Sequence, residues 1–198
     1  MKTDIGVLIV DDDPIFRLDL QEMLRTMGYL VVGEAEDAQR ALALARKLRP
    51  ELIIMDVQLP GDMDGIAAAE ILTAEQSAAV LLLTGFNSSD LAQRAAAAGA
   101  TGYVVKPLTE DMLGPAIHIA LSNFRQIQSL QQEVLDLREE QETRQIIEQA
   151  TNLLMREYHL SAEEAHDRIR TASTTAHKSP RAIAEAIILA QQVGPRLD

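Results

Sequence analysis

A few polar residues stand where aliphatic runs give way to loops, and their chemistry matches. Asp11 and Asp12 follow the first run, Asp56 the third, Thr84 the fourth and Lys106 the fifth. Three carboxylates brought together repel one another unless a cation joins them. Mg²⁺ suits such a set: a hard ion held through one or two carboxylates, with water and phosphoryl oxygens filling the remaining positions. A lysine and a hydroxyl opposite that ion are suitable donors to a tetrahedral oxyanion. A single acidic residue after a strand most simply ends the strand or caps a helix. Matched residues at the ends of successive strands go beyond that reading.

The elements that must position them are legible from periodicity. Short aliphatic runs at 5–10, 30–32, 52–55, 80–83 and 103–105 lack polar alternation, as expected for strands of a parallel sheet covered on both faces. Helical spacing and helix punctuation fill the intervals. Pro14 suits a first helical position after Asp13, and Gly28 can end that helix. Asp37 precedes an Ala/Leu-rich segment running towards Pro50, Ser88 or Ser89 can cap a helix closed by Gly99, and Thr109 can cap the next. Five strands alternating with five helices predict a doubly wound α/β domain. In the strand order 2-1-3-4-5, ligands bind beyond the carboxyl ends of strands one and three, the two that end in Asp.

The chain has 198 residues, enough for one large domain or two small ones. With 47% hydrophobic and 24% charged residues it has the composition of a folded globular protein. There is no cysteine, which excludes disulfides, thiol catalysis and Cys-ligated zinc. No apolar run approaches a membrane span or a signal-peptide core, so a cytoplasmic protein without a membrane partner is expected. The net charge of -12 is uneven: residues 1–120 carry most of the excess, 121–143 are mildly acidic, and 144–198 are neutral. An acidic front end therefore does not exclude a nucleic-acid ligand for the back end.

Residues 5–122 closely resemble the receiver domain of bacterial two-component response regulators, a flavodoxin-like fold. The resemblance rests on Val-Leu-Ile-Val-Asp-Asp-Asp-Pro (7–14), Leu-Ile-Ile-Met-Asp-Val-Gln-Leu-Pro (52–60), Asp64-Gly65, Leu-Leu-Leu-Thr-Gly (81–85) and Gly-Tyr-Val-Val-Lys-Pro (102–107). It implies that Asp56 accepts a phosphoryl group from the phosphohistidine of a sensor histidine kinase. It implies that Asp11, Asp12, Asp56 and the Gln58 backbone carbonyl hold Mg²⁺, that Thr84 and Lys106 bind the phosphoryl group, and that Tyr103 reorients on activation. It also implies a cis Lys106-Pro107 peptide, and a timed switch more than a turnover enzyme. Gly61-Asp62-Met63 make the loop before Asp64-Gly65 one residue longer than is common.

Beyond the receiver, no strong helix breaker follows Pro115 until about Tyr158. Ile127, Leu130, Val134 and Leu137 follow 3-4-3 spacing, continued by Gln141 and Arg144 as polar positions. About two apolar heptads form a short coiled-coil seam, suited to a homodimer that assembles on phosphorylation. A long helix packed on its own receiver is the alternative.

The last block reads as three helices, the second opened by the capping box Ser161-Ala162-Glu163-Glu164 and running to about Ala172, the third opened by Ser179-Pro180 and ending before Gly194-Pro195. Ala150, Leu153, Leu154, Ala165, Ile169, Ala172, Ile183, Ala184, Ile187 and Ile188 are its expected core. The third helix is mostly aliphatic and reads as buried, unlike a DNA recognition helix. The stretches Arg144, Ile147–Ala150, Leu153-Leu154-Met155, Ser161, Glu163-Glu164-Ala165, Ile169-Arg170, Ala172, Ile183-Ala184-Glu185 and Ile187-Ile188 resemble the ANTAR domain, an RNA-binding module of transcription antitermination regulators. The resemblance implies hairpin RNA as ligand. Two departures are visible: Ala150-Thr151-Asn152 replaces a common Ala-Lys-Gly, and Thr174–Lys178 is a weakly basic loop. Arg144, Arg156, Arg168, Arg170, Lys178 and Arg181 are the candidate RNA contacts. The expected organisation is a receiver over 1–121, a coiled-coil linker over 122–143 and an RNA-binding three-helix domain over 144–198. A DNA-binding regulator and one acting through protein contacts are the alternative functions.

Overall fold

The computed structural model describes residues 5–85 and 89–193. The chain divides into two compact units, residues 1–129 and 130–198.

The first unit is a five-stranded, all-parallel sheet in the order β2-β1-β3-β4-β5. Its strands are β1 (Gly6–Val10), β2 (Leu30–Ala35), β3 (Leu52–Asp56), β4 (Ala79–Thr84) and β5 (Gly102–Val105). The helices between them are α1 (Pro14–Thr26), α2 (Ala38–Leu48), α3 (Gly65–Ala74) and α4 (Ser89–Ala97); α5 (Glu110–Tyr158) follows the last strand. The helix signals at Asp13, Gly28, Asp37 and Gly99 act as expected. The Asp13 carboxylate accepts from the Ile15 and Phe16 amides, and Asp37 from the Arg40 amide. Gly28 takes a positive φ beyond α1, and Gly99 does so beyond α4. Ser89 opens α4, whereas Ser88, the other candidate cap, lies outside the described residues.

Apolar layers cover both faces of the sheet. One contains Leu8, Val10, Ile53, Met55, Val80 and Leu82 with α2 and α3, the other Val7, Ile9, Ile54, Leu81 and Leu83 with α1 and α5. Strands β1, β3 and β4 are buried throughout. The outer strands depart from the expected double burial: Leu30 and Glu34 of β2 and Tyr103 of β5 are exposed, because an edge strand has neighbours on one side only. Among the described residues no helix is long and apolar enough to cross a membrane.

Helix α5 runs unbroken for 49 residues, with Pro115 in its second turn. Its early residues Leu113, Ile117, Ala120 and Leu121 close the first core. In the second unit, its last turns pack with α6 (Ala162–Ala176) and α7 (Pro180–Val193) around Ala150, Leu154, Ala165, Ile169 and Ala184. The capping box at Ser161 and Glu164 is formed in both directions.

Three expectations for this unit need correction. Helix α6 continues one turn past Ala172, to the left-handed cap at His177. Ala172 is half-buried and outside the core cluster, whereas Ile146, Ile147, Met155 and Leu160 pack against it. Helix α7 is not buried: of its side chains over residues 180–191 only Ala184 is fully covered, Ile183, Ile187 and Ile188 are half-covered, and Leu189 is exposed. A three-helix unit offers each helix one inner face, and the run Ala186–Ala190 is too long to lie within it. The expected stop at Gly194-Pro195 lies outside the described residues.

Candidate functional site

The two central strands deliver their terminal carboxylates to the same end of the sheet. Asp11, just past β1, is fully buried, and its amide donates to the Ala35 carbonyl at 3.1 Å. Its Oδ1 accepts from the Asp13 amide at 3.0 Å. Asp13 is turned to capping α1, so the three successive acids divide their work: Asp13 holds the helix while Asp11 and Asp12 face the sheet end. Asp56 closes β3, and its Oδ1 accepts from the Gln58 amide at 2.9 Å. Ligand oxygens of Asp11, Asp12 and Asp56 lie within 4.8 Å of one another, with Asp12 exposed between two buried partners. An all-oxygen, acidic set of this spacing fits a hard divalent cation.

Lys106, just after β5, crosses this cluster. Its Nζ pairs with Asp11 Oδ2 at 2.6 Å and with Asp56 Oδ2. The same ammonium lies 4.0 Å from the centroid of the Phe16 ring on α1. Burial pushes the Asp11 carboxyl up from its ordinary range, and the hydrogen bonds from Lys106 and the Asp13 amide offset this only in part. Burial alone would lower the Lys106 pKa, but its hydrogen bonds to Asp11 and Asp56 outweigh that and hold the ammonium above its usual value. The site is thus a buried charge cluster poised around one lysine.

The remaining predicted residues surround it. Thr84 ends β4 and is buried, and its carbonyl accepts from the Lys106 amide at 2.7 Å. Tyr103 stands half in solvent on the edge strand β5. Gln58 is exposed beside Asp56. The Lys106-Pro107 peptide is cis. A Cβ on Gly85 would meet nothing within 4 Å among the described residues. Gly65 is held for the opposite reason: its amide donates to the Val57 carbonyl, and a Cβ there would stand 1.9 Å from the Asp56 carbonyl oxygen. We therefore expect Gly65→Ala to destabilise the first unit by about 1–3 kcal/mol, the usual cost of overpacking. Urea denaturation checks this, and an unchanged midpoint would show that the loop yields without cost.

Phe16 was not singled out by sequence reasoning. Its position two residues past Pro14 carries no local signal, and its role as the floor beneath the Lys106 ammonium appears only when β1, α1 and β5 are assembled.

In the second unit the six basic candidates differ in their surroundings. Arg181 is held by Glu185 at 2.9 Å and by Glu142 at 3.8 Å, and Arg170 by Asp167 at 2.6 Å. Arg168 lies over the Tyr158 ring. Among the described residues no ion pair holds Arg144, Arg156 or Lys178, and all three are exposed. Thr151, at the departure from Ala-Lys-Gly, is buried; its hydroxyl donates to the Ile147 carbonyl at 2.8 Å and lies 3.4 Å from His166 Nδ1. The seam residues Ile127, Leu130, Val134 and Leu137 are all exposed, as is Leu135 beside them.

Comparison with known proteins agrees with this geometry. Residues 7–118 match the response regulator receiver domain, and residues 135–188 match the ANTAR domain. The transcriptional regulatory protein PdtaR of Mycobacterium tuberculosis (strain H37Rv) is 41% identical over 182 residues, covering 92% of this chain and 88% of that protein. The crystal structure of a LuxR-family two-component response regulator from Aurantimonas sp. SI85-9A1 superposes with a TM-score of 0.56 at 37% identity, over 61% of this chain and 86% of the other. The isolated REC domain of RcsB from Salmonella enterica serovar Typhimurium, determined with the phosphomimetic BeF3-, gives 0.54 at 27% identity, over 59% and 87%. The parallel sheet with its acidic carboxyl end is a receiver domain. The chain as a whole belongs to the response regulators that join a receiver to an ANTAR domain.

Proposed function

We propose that the protein is a phosphorylation-controlled RNA-binding regulator acting in transcription antitermination. The observation that carries the receiver half of this reading is the convergence of Asp11, Asp12, Asp56 and Lys106 at the strand ends. The phosphodonor is the phosphohistidine of a sensor histidine kinase. A carboxylate oxygen of Asp56 attacks phosphorus; the O–P bond forms, the P–N bond to the donor breaks, and the departing imidazole takes up a proton. Asp11, Asp12, Asp56 and the Gln58 carbonyl would hold Mg²⁺, which when bound neutralises phosphoryl charge. Lys106 exchanges its Asp56 partner for a phosphoryl oxygen, the Thr84 hydroxyl donates to another, and Tyr103 leaves solvent as the surface rearranges. Hydrolysis of the acyl phosphate resets the switch without sustained turnover.

The output follows from the second unit. Its match to the ANTAR domain supports RNA as ligand, and α7 argues against DNA reading. Over residues 180–191 the exposed residues of that helix are Pro180, Glu185, Ala186, Leu189, Ala190 and Gln191, and its arginine is tied to two glutamates. Such a face lacks the Arg, Asn and Lys set that reads base edges. Phosphorylation shifts the chain towards a dimer through the 127–137 seam, so that paired output domains engage paired hairpins. The test compares hairpin RNA with duplex DNA at stated salt, using the chain with and without acetyl phosphate. Preference for hairpin RNA, raised by phosphorylation, is expected; preference for duplex DNA overturns the reading.

Lys106→Ala probes the coupling step. The variant keeps all three carboxylates and should still bind Mg²⁺ and accept some phosphoryl group. It loses the ammonium that exchanges partners, so phosphorylation should no longer alter dimerisation or RNA affinity. A wild-type response in sedimentation and RNA binding would remove Lys106 from the switch.

A further inference from the structure

We infer that Tyr158 and Arg168 form a stacking platform for an unpaired base of an RNA loop, an assignment that rests on the RNA reading above and gives it a site. Tyr158 is the only Phe, Tyr or Trp in residues 130–198. A lone aromatic in a small unit is usually drawn into the core, since burying a ring contributes more than burying an alanine. Here the core is made of Ala, Ile and Leu from all three helices, and Tyr158 is outside it, half exposed at the end of α5. Its ring is nevertheless held. The Arg168 guanidinium of α6 lies over it, 4.7 Å from the centroid.

This arrangement matches what a single-stranded nucleic acid needs. Unstacked bases dock on aromatic faces and on guanidinium planes, and sequence-tolerant stacking is supplemented by cation–π attraction from Arg. Arg168 lies over the ring and Tyr158 is half exposed, so the pair stands at the surface where a base could reach it. A guanidinium stacked on a ring keeps its N–H groups directed outward in its own plane, free to meet a phosphate or a base edge. Among the described residues Arg168 has no carboxylate partner to compete for those donors.

The other basic candidates fit less well. Arg181 and Arg170 are paired with carboxylates, and Arg144 lines an open groove shared with Asp136, Glu139, Glu140 and Glu148, a surface that repels phosphate. Arg156 and Lys178 are exposed charges that, among the described residues, lie over no aromatic ring and suit backbone phosphates only.

The experiment uses the full phosphorylated chain and a pool of hairpin RNAs with one constant stem and a randomised loop. The hairpin recovered best by the wild-type protein then serves as probe. Tyr158→Ala should weaken its binding by about tenfold or more, with the salt dependence unchanged because no charge is removed. Tyr158→Phe keeps the ring and should bind within about twofold of wild type. Arg168→Ala should lose affinity and also flatten the salt dependence. In the unaltered protein, 4-thiouridine placed in the loop should crosslink to Tyr158, which tests the contact without any variant. Equal affinity of Tyr158→Ala, equal losses in the Ala and Phe variants, or crosslinks only elsewhere would each overturn the platform while leaving RNA binding intact. Recovery of no hairpin by the wild-type chain would overturn the RNA reading itself, and the platform with it.

Discussion

Asp56→Asn should abolish phosphoryl transfer, lowering incorporation from labelled acetyl phosphate by more than about a hundredfold. The amide oxygen of Asn carries no formal charge and is a poor nucleophile, so the step that forms the acyl phosphate has no attacking group. The fold should tolerate the change. The side-chain oxygen of Asn can still accept from the Gln58 amide, and Lys106 keeps its pair with Asp11. Removing one buried negative charge also relieves the repulsion between Asp56 and Asp11. Loss of labelling with an unchanged melting temperature is therefore the expected pair of results. Chelation of divalent cations should abolish labelling of the wild-type chain as well. Equal labelling of the variant, or labelling indifferent to chelator, would remove the assignment of Asp56.

What could be read from the sequence and what could not divide along a physical line. The strands β1, β3 and β4 were legible because each is a short aliphatic run bounded by residues that cannot continue it; Asp11, Asp56 and Thr84 were legible because they stand at those bounds, and Lys106 because it follows the run of β5. Caps such as Asp13, Asp37 and Ser161 were legible because capping is a contact over two or three residues. Contacts made across the sheet left no such trace. The cation–π contact of Lys106 with Phe16 joins residues ninety positions apart, and nothing in the local pattern around Phe16 marks it. Edge position is likewise a property of strand order, so the exposure of Leu30 and Tyr103 could not be told from their hydrophobicity. The same limit explains α7: aliphatic composition signals a buried face, but how much is covered depends on how many helices surround it. Thr151 shows the opposite case, a polar residue that became buried because its hydroxyl bonds back to Ile147 within its own helix.

Leu130→Asp together with Leu137→Asp should leave phosphorylation at Asp56 intact and cancel the phosphorylation-dependent advantage for paired hairpins. Both leucines are more than half exposed, so the single chain loses little buried area when they are replaced. The intrinsic cost to the helix is small, below about 1 kcal/mol per site. In a dimer the same positions meet their counterparts across the seam, where two aspartates per chain would place four like charges in a strip already rich in Glu. The seam has only about two apolar heptads to offset the entropy lost on association, so this addition is enough to dissolve it. Dimerisation raises the local concentration of the second output domain to about the millimolar range, a gain of some hundredfold or more for an RNA with two suitably spaced hairpins. That gain should vanish in the double variant, while binding to a single hairpin stays as in wild type, because Tyr158, the last residue of α5, and Arg168 on α6 are left unaltered. Sedimentation and RNA binding on the same phosphorylated samples decide the matter. A double variant that remains dimeric, or one that is monomeric yet still prefers paired hairpins on phosphorylation, would show that the seam is not the switch.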